Sequence, residues 1–70
     1  MKEVFINTES INLDQFLKWA GLASTGGEAK VAITQGRVKV NGEVETRRSR
    51  KLKASDVVEY EGNCLIVARR

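Results

Sequence analysis

The chain has no histidine, no proline and a single cysteine, Cys64. Those absences exclude a His/Cys zinc site, a Ser-His-Asp triad and a Cys-His pair within the chain, since each needs an imidazole or several thiolates. An internal disulfide is excluded as well. A lone cysteine in the apolar run Cys64-Leu65-Ile66-Val67 reads as a small buried residue of a protein kept in a reducing compartment. No apolar stretch reaches the roughly 18 residues a membrane-spanning helix needs, and the start shows no signal-peptide h-region. The expected location is therefore the cytoplasm, without membrane contact. Aromatics are limited to Phe5, Phe16, Trp19 and Tyr60. Seventy residues suit one domain over 1-70 with a small core and little room for a deep enzymatic pocket.

What is present in quantity is charge, and it is unevenly placed. The net charge is +3, yet Met1 to Gly36 carries three basic and four acidic residues, whereas Arg37 to Arg70 carries nine basic and five acidic. Arg47, Arg48, Arg50, Lys51 and Lys53 fall within seven consecutive positions with no acid among them. That density is expected of a phosphate-facing patch; it is equally expected of a solvated loop or an edge strand whose charges block pairing. Arginine outnumbers lysine there, which suits phosphate oxygens because the guanidinium fork matches them.

The apolar pattern predicts two helices and several short strands. Lys2 to Asn7 reads as a first strand. Asn12 as N-cap, Gln15 closing a capping box and Ile11 stapled on Phe16 predict a helix over 13-20, with Leu13, Phe16, Leu17 and Ala20 on its apolar face. A second box, Thr25-Gly26-Gly27-Glu28, starts another helix that buries Ala29, Ala32 and Ile33 and ends at Gln35; Gly21 and Gly36 suit the two C-terminal caps. The period then becomes two. Arg37 to Val40 and Glu43 to Thr46 flank Asn41-Gly42, a type I′ hairpin signal, with Val38, Val40 and Val44 expected to face inward. Asp56 to Tyr60 and Cys64 to Val67 flank a second turn at Glu61-Gly62-Asn63. The expected fold is α+β: a two-helix hairpin packed on a small, mainly antiparallel sheet.

Candidate chemistry is sparse. Gly21 to Glu28 lacks the Lys-Ser/Thr of a phosphate-binding loop and follows no strand. The amides of Gly26, Gly27 and Glu28 at a helix start can hold one phosphate, or can simply form a satisfied cap opposed by Glu28 itself. Arg37 and Lys39 share one face of a strand and should extend the basic segment. Trp19, beside Lys18, is expected to be partly buried at the helix edge, with base stacking as the alternative. Tyr60 reads as structural, and Asp14 as a carboxylate favouring the first helical turn.

Leu13-Asp14-Gln15-Phe16-Leu17, Gly21, Ser24, Ala29, Ile33, Gly36-Arg37-Val38-Lys39-Val40-Asn41-Gly42 and Asp56 together resemble the S-four RNA-binding domain, named for ribosomal small-subunit protein four. The resemblance covers about 11-67. With Lys18-Trp19-Ala20-Gly21, Thr25 to Lys30 and Glu45-Thr46-Arg47-Arg48, the chain looks like the small stand-alone bacterial members. This resemblance implies an αL RNA-binding motif that recognises structured RNA, ribosomal RNA or ribosomal subunits included, with no cofactor, metal, small-molecule substrate or attached catalytic domain. It also implies an RNA surface: Ser24, Thr25, Gly26, Gly27 and Lys30 at the second helix, with Arg37, Lys39 and the loop arginines on the sheet side.

Two departures matter. Many members carry Arg before Leu-Asp and after the Ser, where this chain has Asn12 and Thr25. Arg47, Arg48, Arg50, Lys51 and Lys53 are expected to compensate, with Lys18 and Lys30 at the helical rim. The family's Gly-Asp is here Ser55-Asp56, which suggests a different turn. The expectation is a monomeric, non-enzymatic RNA binder in which alanine at Arg47, Arg48 and Arg50 lowers salt-dependent affinity and leaves the fold intact. The rival is a protein-interaction adaptor that docks an acidic partner, with incidental RNA affinity.

Overall fold

A computed structural model describes the chain from Met1 to Arg70. Its elements are β1 (Lys2–Ile6), β2 (Ile11–Asn12), α1 (Leu13–Trp19), α2 (Gly26–Thr34), β3 (Val38–Val40), β4 (Glu43–Val44), β5 (Lys51–Leu52), β6 (Val57–Tyr60) and β7 (Asn63–Arg69). Five strands form a sheet in the order β1-β7-β6-β3-β4, in which only β1 and β7 run parallel. β2 and β5 form a separate two-stranded ribbon. The fold is the expected α+β arrangement, with the helix pair on one face of the sheet.

The core joins three sources. α1 supplies Leu13, Phe16 and Leu17, α2 supplies Ala29, Ala32 and Ile33, and the inner sheet face supplies Ile6, Val38, Val40, Val58, Tyr60, Leu65 and Val67. Leu52 of β5 is fully buried in the same cluster, so the ribbon belongs to the core as well. Both helices end in Schellman motifs. The Gly21 and Leu22 N–H groups donate to Lys18 and Leu17 carbonyls, and those of Gly36 and Arg37 to Ile33 and Ala32. Gly21 (φ +80°) and Gly36 (φ +74°) take the left-handed conformation this closure requires.

Starts differ from ends. At α2 the Thr25 hydroxyl accepts from Glu28 N at 3.1 Å, but the Glu28 carboxylate reaches Ser24 N at 3.4 Å, so the box closes one residue early. At α1 the expected side-chain cap is absent: Asn12 pairs with Lys51 in the ribbon instead. The donors of Leu13 and Asp14 go to the carbonyls of Arg50 (2.8 Å) and Arg48 (3.1 Å). A distant loop therefore does the work that a neighbouring side chain does in most helices. Asp14 accepts from Gln15 N within the first turn.

The first hairpin corrects one expectation. Asn41 (φ 53°) and Gly42 (φ 85°) form the two-residue turn, so Val40 pairs with Glu43 and Lys39 with Val44. Cross-strand partners share a face. Val44 thus joins Lys39 on the outer face and is 55% exposed, while Glu45, donating its N–H to Val38 O, takes the inward place. Asn41 also ties strands together: its side chain accepts from Val57 N and donates to Asp56, whose other oxygen accepts from Lys53 N. Cys64 is half-buried on the outer face and not a core residue.

Ser55 has φ +82°, the conformation a glycine adopts, so the expected difference from Gly-Asp lies in the side chain and not in the backbone. A left-handed non-glycine residue costs about 1 kcal/mol. S55G is expected to raise the unfolding free energy by about 0.5–1 kcal/mol in urea denaturation; an unchanged or lower midpoint would mean that the Ser side chain is needed there.

Candidate nucleic-acid interface

The basic segment is held in shape by one carboxylate. Glu45 is 8% exposed and is the only buried charged residue. Its Oε2 accepts from the Arg47 backbone N–H (3.1 Å) and Nε (3.2 Å), and its Oε1 from Arg47 Nη2 (3.3 Å) and Arg50 Nη1 (2.8 Å). The guanidinium groups of Arg47 and Arg50 and the Arg47 amide, in that order, hold the Glu45 carboxyl down to about 2, against the opposing effect of burial. The Arg47 guanidinium is in turn pushed up by its bonds to Glu45. Chain curvature around this carboxylate leaves the carbonyls of Arg48 and Arg50 free to receive α1.

The candidate residues divide into three groups. In the basic segment Arg47 stays largely exposed despite its pairing, and Arg50 is two-thirds covered. Arg48, Lys51 and Lys53 make no ion pair and are exposed. The second group lies at the other end of α1, about 10 Å away by helix rise. There Lys18 is exposed in the last turn of α1, and the turn Ser24, Thr25, Gly26 and Gly27 is exposed at the start of α2, with Lys30 exposed one turn further on. The Gly26 and Gly27 amides, in the first turn of α2, have no acceptor within the helix. The exposed Glu28 carboxylate accepts from Ser24 N at 3.4 Å and so turns back on its own cap.

Arg37 and Lys39 form the third group and do not extend the basic segment. They line one shallow cleft with Glu59, Glu61 and Cys64. Arg37 binds Glu61 at 2.8 Å and lies over Tyr60, its guanidinium carbon 5.6 Å from the ring centroid. Lys39 pairs across the sheet with Glu59, on the face turned away from Val38 and Val40 and hence from the helices. Two carboxylates balance these two cations.

A profile of the S4 domain matches residues 4–68. The chain belongs to the S4 domain family. Within this family the chain is similar to a Bacillus subtilis (strain 168) protein named as a probable ribosome maturation protein, RlbA, at 49% identity over 59 residues, covering 84% of this chain and 83% of that one. It is 40% identical over 57 residues to YbcJ of Escherichia coli (strain K12), covering 81% of each. The solution structure of YbcJ, described as revealing an αL motif involved in RNA-binding, superposes with a TM-score of 0.73 at 35% identity, covering 97% of this chain and 87% of YbcJ. Ribosomal protein S4e of Thermoplasma acidophilum shares the fold, with a TM-score of 0.62 at 24% identity over 83% of this chain and 31% of that one.

Two features of this S4 domain escape the sequence reading. Glu45 carries no expectation of burial from its sequence context, although the pairing through the Asn41-Gly42 turn places it opposite Val38. Trp19, expected to be partly buried, is 57% exposed, with its indole N–H donating to Phe5 O at 2.8 Å. No local periodicity encodes that bond.

The Glu45 carboxyl is ordinary, at 4.5, when unfolded and about 2 when folded. Its contribution to stability is thus complete above pH 4.5 and is lost as pH falls toward 2. The urea midpoint of the native chain is expected to drop more steeply over that window than that of E45Q; parallel curves would contradict the clamp.

Proposed function

We propose that this S4 domain is a non-catalytic RNA-binding module that recognises structured RNA, with ribosomal RNA as its target class. The observation that carries the reading is the basic segment itself. Its main chain is bound to α1 and its turn is gathered on Glu45, so Arg48, Lys51 and Lys53 stand on a fixed backbone with no carboxylate partner. Fixed cations match a folded phosphate array better than mobile ones, since less side-chain and loop entropy is lost on binding. Lys18, Lys30 and the Ser24 to Gly27 turn extend the surface along α1 to a second phosphate position.

Family membership supports the reading, as does the RNA-binding ascribed to the αL motif of YbcJ and the ribosome maturation in the name of RlbA. Five of the nine carboxylates speak for a non-catalytic role. Glu45, Asp56, Glu28, Asp14 and Glu61 are each occupied as structural acceptors, which leaves them unsuited to paired acid–base work. The module acts in the cytoplasm as a monomer.

Four to six phosphate contacts imply that log K falls by roughly 3 to 5 per decade of salt. The triple variant R48A/K51A/K53A is expected to lower that slope by roughly 2 to 3 on a folded ribosomal RNA fragment, with an unchanged thermal midpoint. R50A behaves differently. It removes a bond to a buried carboxylate and is expected to cost about 1–3 kcal/mol of stability, read as a lower urea midpoint. An unchanged slope in the triple variant would remove the basic segment from the interface. Competition by polyglutamate as effective as by RNA would favour a module that docks acidic proteins.

A further inference from the structure

Between the β1–β2 connection and α1 lies a cleft of about 560 Å³ with Trp19 and Lys18 on one side. We propose that this cleft receives a single unpaired nucleobase of the RNA held by the basic segment; the inference rests on the RNA-binding reading above. Several observations lead to it. The Trp19 side chain is exposed although the core of so small a chain has few aromatic rings to spare, and its bond to Phe5 O fixes one edge, so the ring stands pre-oriented. Every base has a π-face, and stacking on such a ring is sequence-tolerant.

The lining suits the rest of a nucleotide. Asn7 and Gln15 border the cleft, and neither side-chain amide has a hydrogen-bond partner within the protein, which leaves donors and acceptors for a base edge. Ile6 and Ile11 supply apolar wall. The only charged residue in the lining is Lys18, placed to meet the attached phosphate, and no carboxylate lines the cleft to repel it. The rim is itself ordered, with the Thr8 hydroxyl donating to Ser10 O at 2.8 Å.

Position completes the case. Ile11 lines the cleft and pairs with Leu52, and its neighbour Asn12 pairs with Lys51. The cleft and the basic segment therefore flank one two-residue ribbon, and the cleft extends from Ile11 at that ribbon to Trp19 at the far end of α1. The occupant is an extruded base, because the interior of a continuous duplex offers no free π-face.

Two RNA hairpins that differ only in one bulged purine test the proposal with the full chain. Trp19 is the only tryptophan, so its emission reports the cleft directly. The bulged hairpin is expected to quench that emission and shield it from acrylamide, and the paired hairpin to bind without doing so. The ratio of the two affinities is expected to fall roughly 5- to 100-fold in W19A and to be largely kept in W19F. R48A/K51A should weaken both hairpins and preserve the ratio. Binding of both hairpins with equal quenching, or with none, would overturn the base site while leaving RNA binding in place. Failure of both to bind would refute the RNA reading and the site with it. Should W19A not fold, the quenching of the native chain decides by itself.

Discussion

A buried carboxylate sets the form of the basic segment. Glu45 sits at the inward position opposite Val38 and draws in two arginines and one backbone amide. Without it the segment from Thr46 to Arg50 would hold three mutually repelling arginines with no reason to turn. With it, the same residues return their carbonyls to the first turn of α1, and β5 delivers Leu52 to the core. The helix start, the ribbon and the cationic surface are consequences of one register.

This arrangement separates two roles that composition alone merges. Arg47 and Arg50 are structural cations first, committed to Glu45, whereas Arg48, Lys51 and Lys53 carry charge outward. The same division recurs on the outer sheet face, where Arg37 and Lys39 meet Glu61 and Glu59 and yield little net field. Of the cations in the second half of the chain, those without a facing carboxylate include Arg48, Lys51 and Lys53, beside the first turn of α1. A small basic chain gains a directional surface from where its acids lie as much as from where its bases lie.

Much of the fold was legible. Helix apolar spacing, the glycines that close both helices and the Asn-Gly turn each rest on local chemistry that the sequence states directly, and each element stands where that chemistry put it. What escaped was non-local. Asn12 looked like a cap because nothing nearby in sequence shows that Lys51 will pair with it. Val44 faces outward because the Val40–Glu43 pair across the two-residue turn sets the parity of the strand, and the same parity turns Glu45 inward. The basic run was visible, but its division into clamped and free cations depends on an acid whose burial only the register reveals. Trp19 likewise depends on a carbonyl fourteen residues away.

The surface built on α1 and the basic segment, and not the outer sheet face, is expected to meet RNA. Amide chemical-shift mapping with a folded ribosomal RNA hairpin at about 0.15 M salt, where distant attraction is largely screened, tests it most directly. The largest changes are expected at Lys18, Gly26, Gly27 and residues 47-53, with Lys39, Val44 and Glu59 unmoved. Changes gathered on Lys39, Val44 and Glu59, with the basic segment silent, would contradict it.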